Sequence, residues 1–252
     1  MTSPPPPLPD GGGTSDLELK QRQFNAAMGL YTGRRRYILF GRLVAAANIS
    51  LQAFLLYLVS GRPLGPLWQL AALAAAYLLA DFINGLVHLY SDHMDDYEAA
   101  WGPLAANFHL HHKRPRYKDN NLAVMYFNES GSKVWLVPAL CCICWFSARP
   151  GADPFLLHTL VYAGILSSVA EVSHYLAHNS TSPAAAFLAR AGLLLGKRKH
   201  ARHHLEDNVS YTFLNAFTDP LVDLIAAKFY TGYKNGTDLH YAKYTAPIED
   251  RD

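Results

Sequence analysis

The sequence predicts an all-α integral membrane protein: a helical bundle with about four transmembrane helices and a histidine-rich cap on its cytoplasmic side. Three observations predict it. Hydrophobic residues make up 50% of the 252-residue chain, and they come in long blocks rather than evenly spread. Ten of the twelve histidines fall in four short clusters, two at the ends of such blocks and two in the stretches that follow them. Basic residues gather in alternate connections between the blocks, the charge bias that orients membrane helices.

The segment 1–33 opens PPPPLPDGGGTSD and is expected to be disordered, since so little apolar surface cannot form a core. It lacks the charged start and apolar run of a signal peptide. Residues 34–252 are expected to form one membrane-embedded domain. Its apolar blocks run from Tyr37 to Ser60, Leu64 to Leu89, Val134 to Phe146 and Pro154 to Ala177. A span takes about 20 residues, and helix satisfies every backbone group within the segment. The second and fourth blocks meet that length. The first does so with Arg42 snorkelling or facing protein, and the third is short unless it continues toward Arg149. Pro183 to Gly196 is too short to span and is expected to lie at the interface. The segment from Asn208 to Tyr230 is expected to be a loop followed by an amphipathic helix packed back toward the histidines.

Charge then sets the orientation. Arg34, Arg35 and Arg36 precede the first block; Lys113, Arg114, Arg116, Lys118 and Lys133 fill the connection after the second; Lys197, Arg198, Lys199 and Arg202 follow the fourth. The other two connections hold only Arg62 and Arg149. Both termini and all four histidine clusters are thereby expected on the cytoplasmic side. A net charge of +2 with no basic stripe argues against a nucleic-acid partner. The three cysteines, Cys141, Cys142 and Cys144, all lie inside one apolar block, which is no secreted disulfide pattern.

The clusters read HLYSDH, HLHH, HYLAH and HARHH. Neutral imidazole suits zinc, copper and iron, and one tetrahedral site takes four ligands, so this supply points to two metals. Helical spacing sorts the ligands. His174 and His178 are one turn apart and share a face, as do His200, His203 and His204. His88 and Asp92 also share a face, whereas His88 and His93 stand roughly 140° apart on a regular helix. Asp92 is therefore favoured if the helix continues and His93 if it unwinds. In the second cluster His109 and His112 are the helical pair, and His111 joins only with backbone adjustment. His158 and His240, outside the clusters, are expected to be hydrogen-bonded side chains.

Two carboxylates are candidate catalytic or ligand-orienting groups. Glu171 lies in an apolar helix one turn before His174, and Asp81 two turns before His88; an intramembrane acid marks a functional site. Glu129, in FNESG, is a further candidate from the loop. Two irons beside an acyl chain suit dioxygen reduction and attack on an unactivated C–H bond, while a zinc pair activates water for hydrolysis. A haem carrier needs paired axial histidines rather than HxxHH.

With these motifs in view, the chain resembles the Kua-type lipid desaturases, the family that includes plasmanylethanolamine desaturase. The matching residues are DFINGLVHLYSD for D-F-x-x-G-x-x-H-x-x-x-D, FHLHHKRP for F-x-x-H-H-x-x-P, HYLAH for H-x-x-x-H and KRKHARHH for a closing K-H-x-x-H-H; FNES echoes F-x-E. They span roughly residues 77 to 224. The resemblance implies metal-ligand roles for His88, Asp92, His111, His112, His174, His178, His200, His203 and His204. His109 lies where many relatives carry another residue, Glu171 replaces an amide, and Asn208 stands where relatives often place one more histidine. The implied activity is an O2-dependent, di-iron desaturation of a lipid alkyl or acyl chain, with a vinyl ether in an ether phospholipid as one outcome and hydroxylation as the alternative. The implied partners are the lipid substrate, the membrane and an external electron donor such as a ferredoxin or a cytochrome b5-like protein, because no fused redox motif is visible.

Overall fold

The computed structural model describes residues 13–113, 121–206 and 208–232. Residues 1–12, most of the basic connection (Arg114, Arg116 and Lys118) and His240 lie outside the described residues. Ten helices and no strands occur among those described: α1 (Gly13–Gly33), α2 (Arg35–Ser60), α3 (Pro66–Asp92), α4 (Gly102–Lys113), α5 (Leu122–Ser130), α6 (Leu136–Ser147), α7 (Pro154–Asn179), α8 (Pro183–Arg190), α9 (Lys197–Leu205) and α10 (Asp219–Phe229).

Three of them, α2, α3 and α7, are long and apolar enough to cross a membrane. At about 1.5 Å per residue each exceeds the roughly 30 Å hydrocarbon thickness. The third apolar block forms α6, whose 12 residues make it too short to span by itself. Pro138, in its first turn, does not interrupt it, since the nitrogen there has no helical acceptor to lose. Large side chains such as Leu43, Tyr57, Leu67, Trp68 and Leu70 stay on the outside of the bundle, as a lipid-facing surface requires.

The bundle centres on α3 and α7, which share the most extensive interface, lined by Ala76, Ala80, Ala163 and Ala170. Small residues let the backbones approach, and polar side chains then tie the helices together. Asn48 of α2 donates to the carbonyls of Ser130 (3.0 Å) and Lys133 (3.1 Å). Gln52 donates to the Gly164 carbonyl (3.0 Å) and Ser168 Oγ (2.8 Å) of α7 and accepts from the Tyr126 hydroxyl (2.6 Å) of α5. At the far end, Arg62 donates to the Ser147 carbonyl, which puts the α2–α3 and α6–α7 turns side by side. The C-terminal ends of α3 and α7 therefore share the opposite end, and that end carries the histidines.

The expectation of disorder over 1–33 does not hold for its described part. Gly13–Gly33 forms α1, which buries Phe24, Ala27 and Met28 against Tyr97 and Ala106 beside α4. The Phe24 and Tyr97 rings meet edge to face at 5.5 Å, and Lys20 pairs with Asp95 (2.9 Å). Polar composition near the start of the segment hid an apolar face of three side chains that becomes visible only once α4 is placed beside it. Lys133, named among the basic residues of the connection after the second block, is 3% exposed and sits among α3, α7 and the loop before α10.

Gly85 fixes the approach of the loop at 208–218 to α3. A Cβ on this residue would lie 2.5 Å from Thr212 Cγ2 and 3.2 Å from Val222 Cγ2. Gly85→Val is expected to push this loop from α3 and to destabilise the protein by about 1–3 kcal/mol, as overpacking does. Thermal denaturation with and without added iron is the measurement, and an unchanged melting temperature would refute the close-packing account.

Candidate metal centre

Four elements bring the histidines together at the end shared by α3 and α7. Two groups of four form, each with one ring nitrogen per residue and all within 4.8 Å of one another: His88, His111, His112 and His203 in the first, and His174, His178, His200 and His204 in the second. Helix α9 serves both. His203 faces α3 and α4 while His200 and His204 face α7, a split that one short helix makes because its i, i+3 and i+4 positions fan across about 100°.

Hydrogen bonds fix which nitrogen faces inward. His88 Nδ1–H donates to the Tyr211 carbonyl (2.7 Å), His111 Nδ1–H to the Phe108 carbonyl (2.5 Å) and His203 Nδ1–H to the Val209 carbonyl (3.1 Å). Each ring then turns its Nε2 toward the centre, the orientation control seen around protein metal sites. His88 Nε2 and His111 Nε2 are buried there without a hydrogen bond. In the second group the Nε2 atoms crowd together, with His200 2.7 Å from His178, 3.0 Å from His174 and 2.9 Å from His204. Neutral imidazoles cannot all donate to one another at that spacing. A cation at each centre resolves both observations, so the residues present fit a pair of metal ions. Burial holds His111, His200 and His204 below the usual imidazole range, which keeps them neutral.

Asp92 occupies the first group. Its oxygens lie 3.5 Å from His88 Nε2, 3.3 Å from His112 Nε2 and 3.3 Å from His203 Nε2. α3 stays helical to Asp92 and stops there. His93, the competing residue, turns away: its Nδ1–H donates to the Leu89 carbonyl (2.7 Å), and its ring lies 4.4 Å from Tyr230. His109 is also outside both groups. Its Nε2–H donates to the Ser91 carbonyl (2.9 Å) and its Nδ1 accepts from the Tyr97 hydroxyl (2.6 Å), so it joins α4 to the end of α3. The inward pair of the second cluster is thus His111 and His112, adjacent residues whose rings stand 4.1 Å apart on the last turn of α4. Spacing alone favoured His109 with His112, because it says which residues share a face but not which face meets the site.

The three acids have three different settings. Asp81 spends both oxygens on the loop before α10, accepting from the backbone N–H of Asn215 (3.0 Å), Ala216 (3.3 Å) and Thr218 (3.0 Å) and from the Thr218 hydroxyl (2.7 Å). It holds a loop instead of facing the histidines. Glu171 pairs with Lys133 (2.9 Å) and lies 3.7 Å from His174 Nδ1, on the side of that ring away from the centre. Glu129 lines a cavity beside Phe108; burial, with the charge of Glu171 second, pushes its carboxyl up to about 7.

Two contributors have roles that the sequence reading did not assign. The loop at 208–218 carries the Val209 and Tyr211 carbonyls that orient His203 and His88, and it holds Asn208, Ser210 and Ala216 in the left-handed region (φ 58°, 60° and 68°). Such backbone persists where surrounding contacts over-determine it. Asp219 provides them at Thr212 N (2.8 Å) and Asp223 at Ser210 N (2.7 Å). Asn208 itself donates to the Tyr230 carbonyl (3.2 Å) and accepts from the Tyr211 hydroxyl (3.0 Å), so its amide is engaged in the loop. The other contributor is Lys133, which donates to Asn84 Oδ1 (2.5 Å) and sits 4.9 Å from the centre of the Phe213 ring.

Three apolar helices of spanning length and eight converging histidines define a membrane protein with a histidine-rich candidate metal centre. The chain belongs to the lipid desaturase domain family, whose model matches residues 77–233. That match begins near the middle of α3 and takes in all eight histidines, so the domain is an oxidoreductase of lipid chains. Comparison with curated proteins and with solved structures gives no match.

Proposed function

We propose that the protein is an O2-dependent, di-iron lipid desaturase that introduces a double bond into an alkyl or acyl chain, a vinyl-ether bond in an ether phospholipid being the particular form. The observation that carries the proposal is the pair of four-histidine groups sharing α9, with Asp92 in the first. All-nitrogen sets with one carboxylate, beside a membrane interior, suit redox metal ions.

When bound, two iron ions bring dioxygen reduction and hydrogen abstraction from a methylene to this site. The residues of the chain do the rest. His88, His111, His112 and His203 with Asp92 would hold one ion, and His174, His178, His200 and His204 would hold the other. The Asp92 carboxylate would offset part of the added positive charge. Glu171 stands on the Nδ1 side of His174 and orients that ring. Phe108 packs against His88 and His111 at ring separations of 5.7 and 5.2 Å, and its side chain also lines a cavity of about 370 Å³ reaching Tyr31, Phe40 and Trp101. That cavity receives the chain to be oxidised. Desaturating one –CH2–CH2– unit consumes one dioxygen, two electrons and two protons and releases two waters, so an external donor, a ferredoxin or a cytochrome b5-like protein, supplies the electrons. The basic residues near this end support placing both termini and the site on the cytoplasmic side.

Purified protein made with ample iron is expected to bind about two irons per chain and, with donor and dioxygen, to form an alkene with two fewer hydrogens. Elemental analysis by mass spectrometry and lipid product analysis are the checks. Stoichiometric zinc with negligible iron would overturn the redox assignment, and an alcohol product would convert it to a hydroxylase.

A further inference from the structure

A second cavity, of about 660 Å³, lies where the end of α7 meets α8 and the start of α9. Arg190, Lys197 and Arg198 line it together with Ser180, Thr181 and Ser182. None of the three cations has an acidic partner among the described residues, whereas Arg202, further along α9, is paired with Glu206 (2.8 Å). The rest of the wall is apolar, with Leu176, Ala185, Ala186, Leu194 and Leu195. The N-terminus of α9 opens into the same space with no side-chain cap at Gly196, which leaves backbone N–H groups and the positive end of the helix dipole beside the cations. α8 next to it leaves Phe187 exposed, and Leu193 projects from the turn that follows, as on a surface resting in the headgroup region.

We propose that this cavity binds the phosphate group of an anionic phospholipid, held as a resident lipid distinct from the chain that is oxidised. Unpaired cations and hydroxyls at the mouth match a phosphate, and the apolar wall matches the upper part of the chains attached to it. Its lining shares no residue with the cavity beside Phe108, which separates this lipid from the proposed substrate. The site joins the last turn of α7, which carries His178, to the first turn of α9, which carries His200. Occupancy therefore braces the two elements that build the second histidine group. The proposal rests on the membrane reading of the chain and not on iron or dioxygen.

The test is equilibrium binding to full-length protein in neutral detergent, followed by native mass spectrometry with phosphatidylglycerol, diacylglycerol or inorganic phosphate as probe. Phosphatidylglycerol is expected to bind at least tenfold tighter than either other probe. The variant Arg190→Gln/Lys197→Gln/Arg198→Gln is expected to lose that tenfold, while Arg35→Gln, a cation at another helix start, retains it. Ala186→Trp, which fills the wall without changing charge, is expected to weaken binding as well and guards against a folding defect in the triple variant. Equal binding of phosphatidylglycerol to wild type and both cavity variants overturns the proposal. So does inorganic phosphate as tight as the lipid, which would make this a free-anion site, or an acidic redox protein that needs the three cations when the lipid does not.

Discussion

Asp92→Ala is expected to abolish turnover and to remove at least one of the two metal ions, while His93→Ala leaves turnover and metal within a few-fold of wild type. The two residues are neighbours in sequence with opposite surroundings. Asp92 lies buried against three inward-facing imidazoles at 3.3–3.5 Å, where a cation held by those rings would compensate its charge. His93 is committed to the Leu89 carbonyl and to Tyr230. Removing the carboxylate leaves a cation site with neutral ligands only, in a medium where an uncompensated charge costs several kcal/mol. Asp92→Asn is the finer probe, since it keeps size and removes charge; partial metal retention with lost turnover is its expected result. Metal content by elemental analysis, beside turnover, is the readout. Equal losses in the Asp92→Ala and His93→Ala proteins would mean that α3 unwinds before Asp92 when metal is bound.

The contrast between these two residues shows what the sequence made legible. Period and charge were enough for the helical class, the three long spans and the convergence of histidines from α3, α4, α7 and α9. Spacing put Asp92 on the His88 face of a continuing helix and left His93 for an unwound one, and α3 runs helical to Asp92 and ends there. It failed for His109, because the face of α4 that meets the site is decided by α1 and by Tyr97, which sequence does not orient. It also failed for Asp81. Its position on an apolar helix two turns before His88 suggested the site, but its partners are backbone N–H groups more than a hundred residues later. A loop whose own backbone bonds are unsatisfied leaves no trace in composition. The length of α6 was legible only as a doubt, since the apolar block ends before a bilayer is crossed.

Lys133 carries the other large expected effect. Between α5 and α6 the chain places an ammonium that is 3% exposed, with Glu171 at 2.9 Å, Asn84 at 2.5 Å and the Phe213 ring beneath it. Asn84 in turn donates to Ser167 (3.0 Å), so the cation bridges α3 and α7 just before both enter the histidine region. Lys133→Met removes one member of a buried pair and strands the Glu171 carboxylate, a change that costs about 3–5 kcal/mol in buried pairs. Melting is expected to fall by roughly 10 °C at a few degrees per kcal/mol for a chain of this size. Lys133→Met/Glu171→Gln deletes both charges together and is expected to regain most of that stability, since two compensated deletions avoid the stranded charge. Turnover separates a brace from a positioning residue. If Glu171 orients His174, the double variant stays about 10–100-fold below wild type in metal affinity or turnover despite its recovered melting temperature, as loss of a ligand-orienting partner does. A double variant restored in both respects would assign the pair to holding α3 against α7 and nothing more, and His174 would then owe its orientation to its packing against Phe213 and His200.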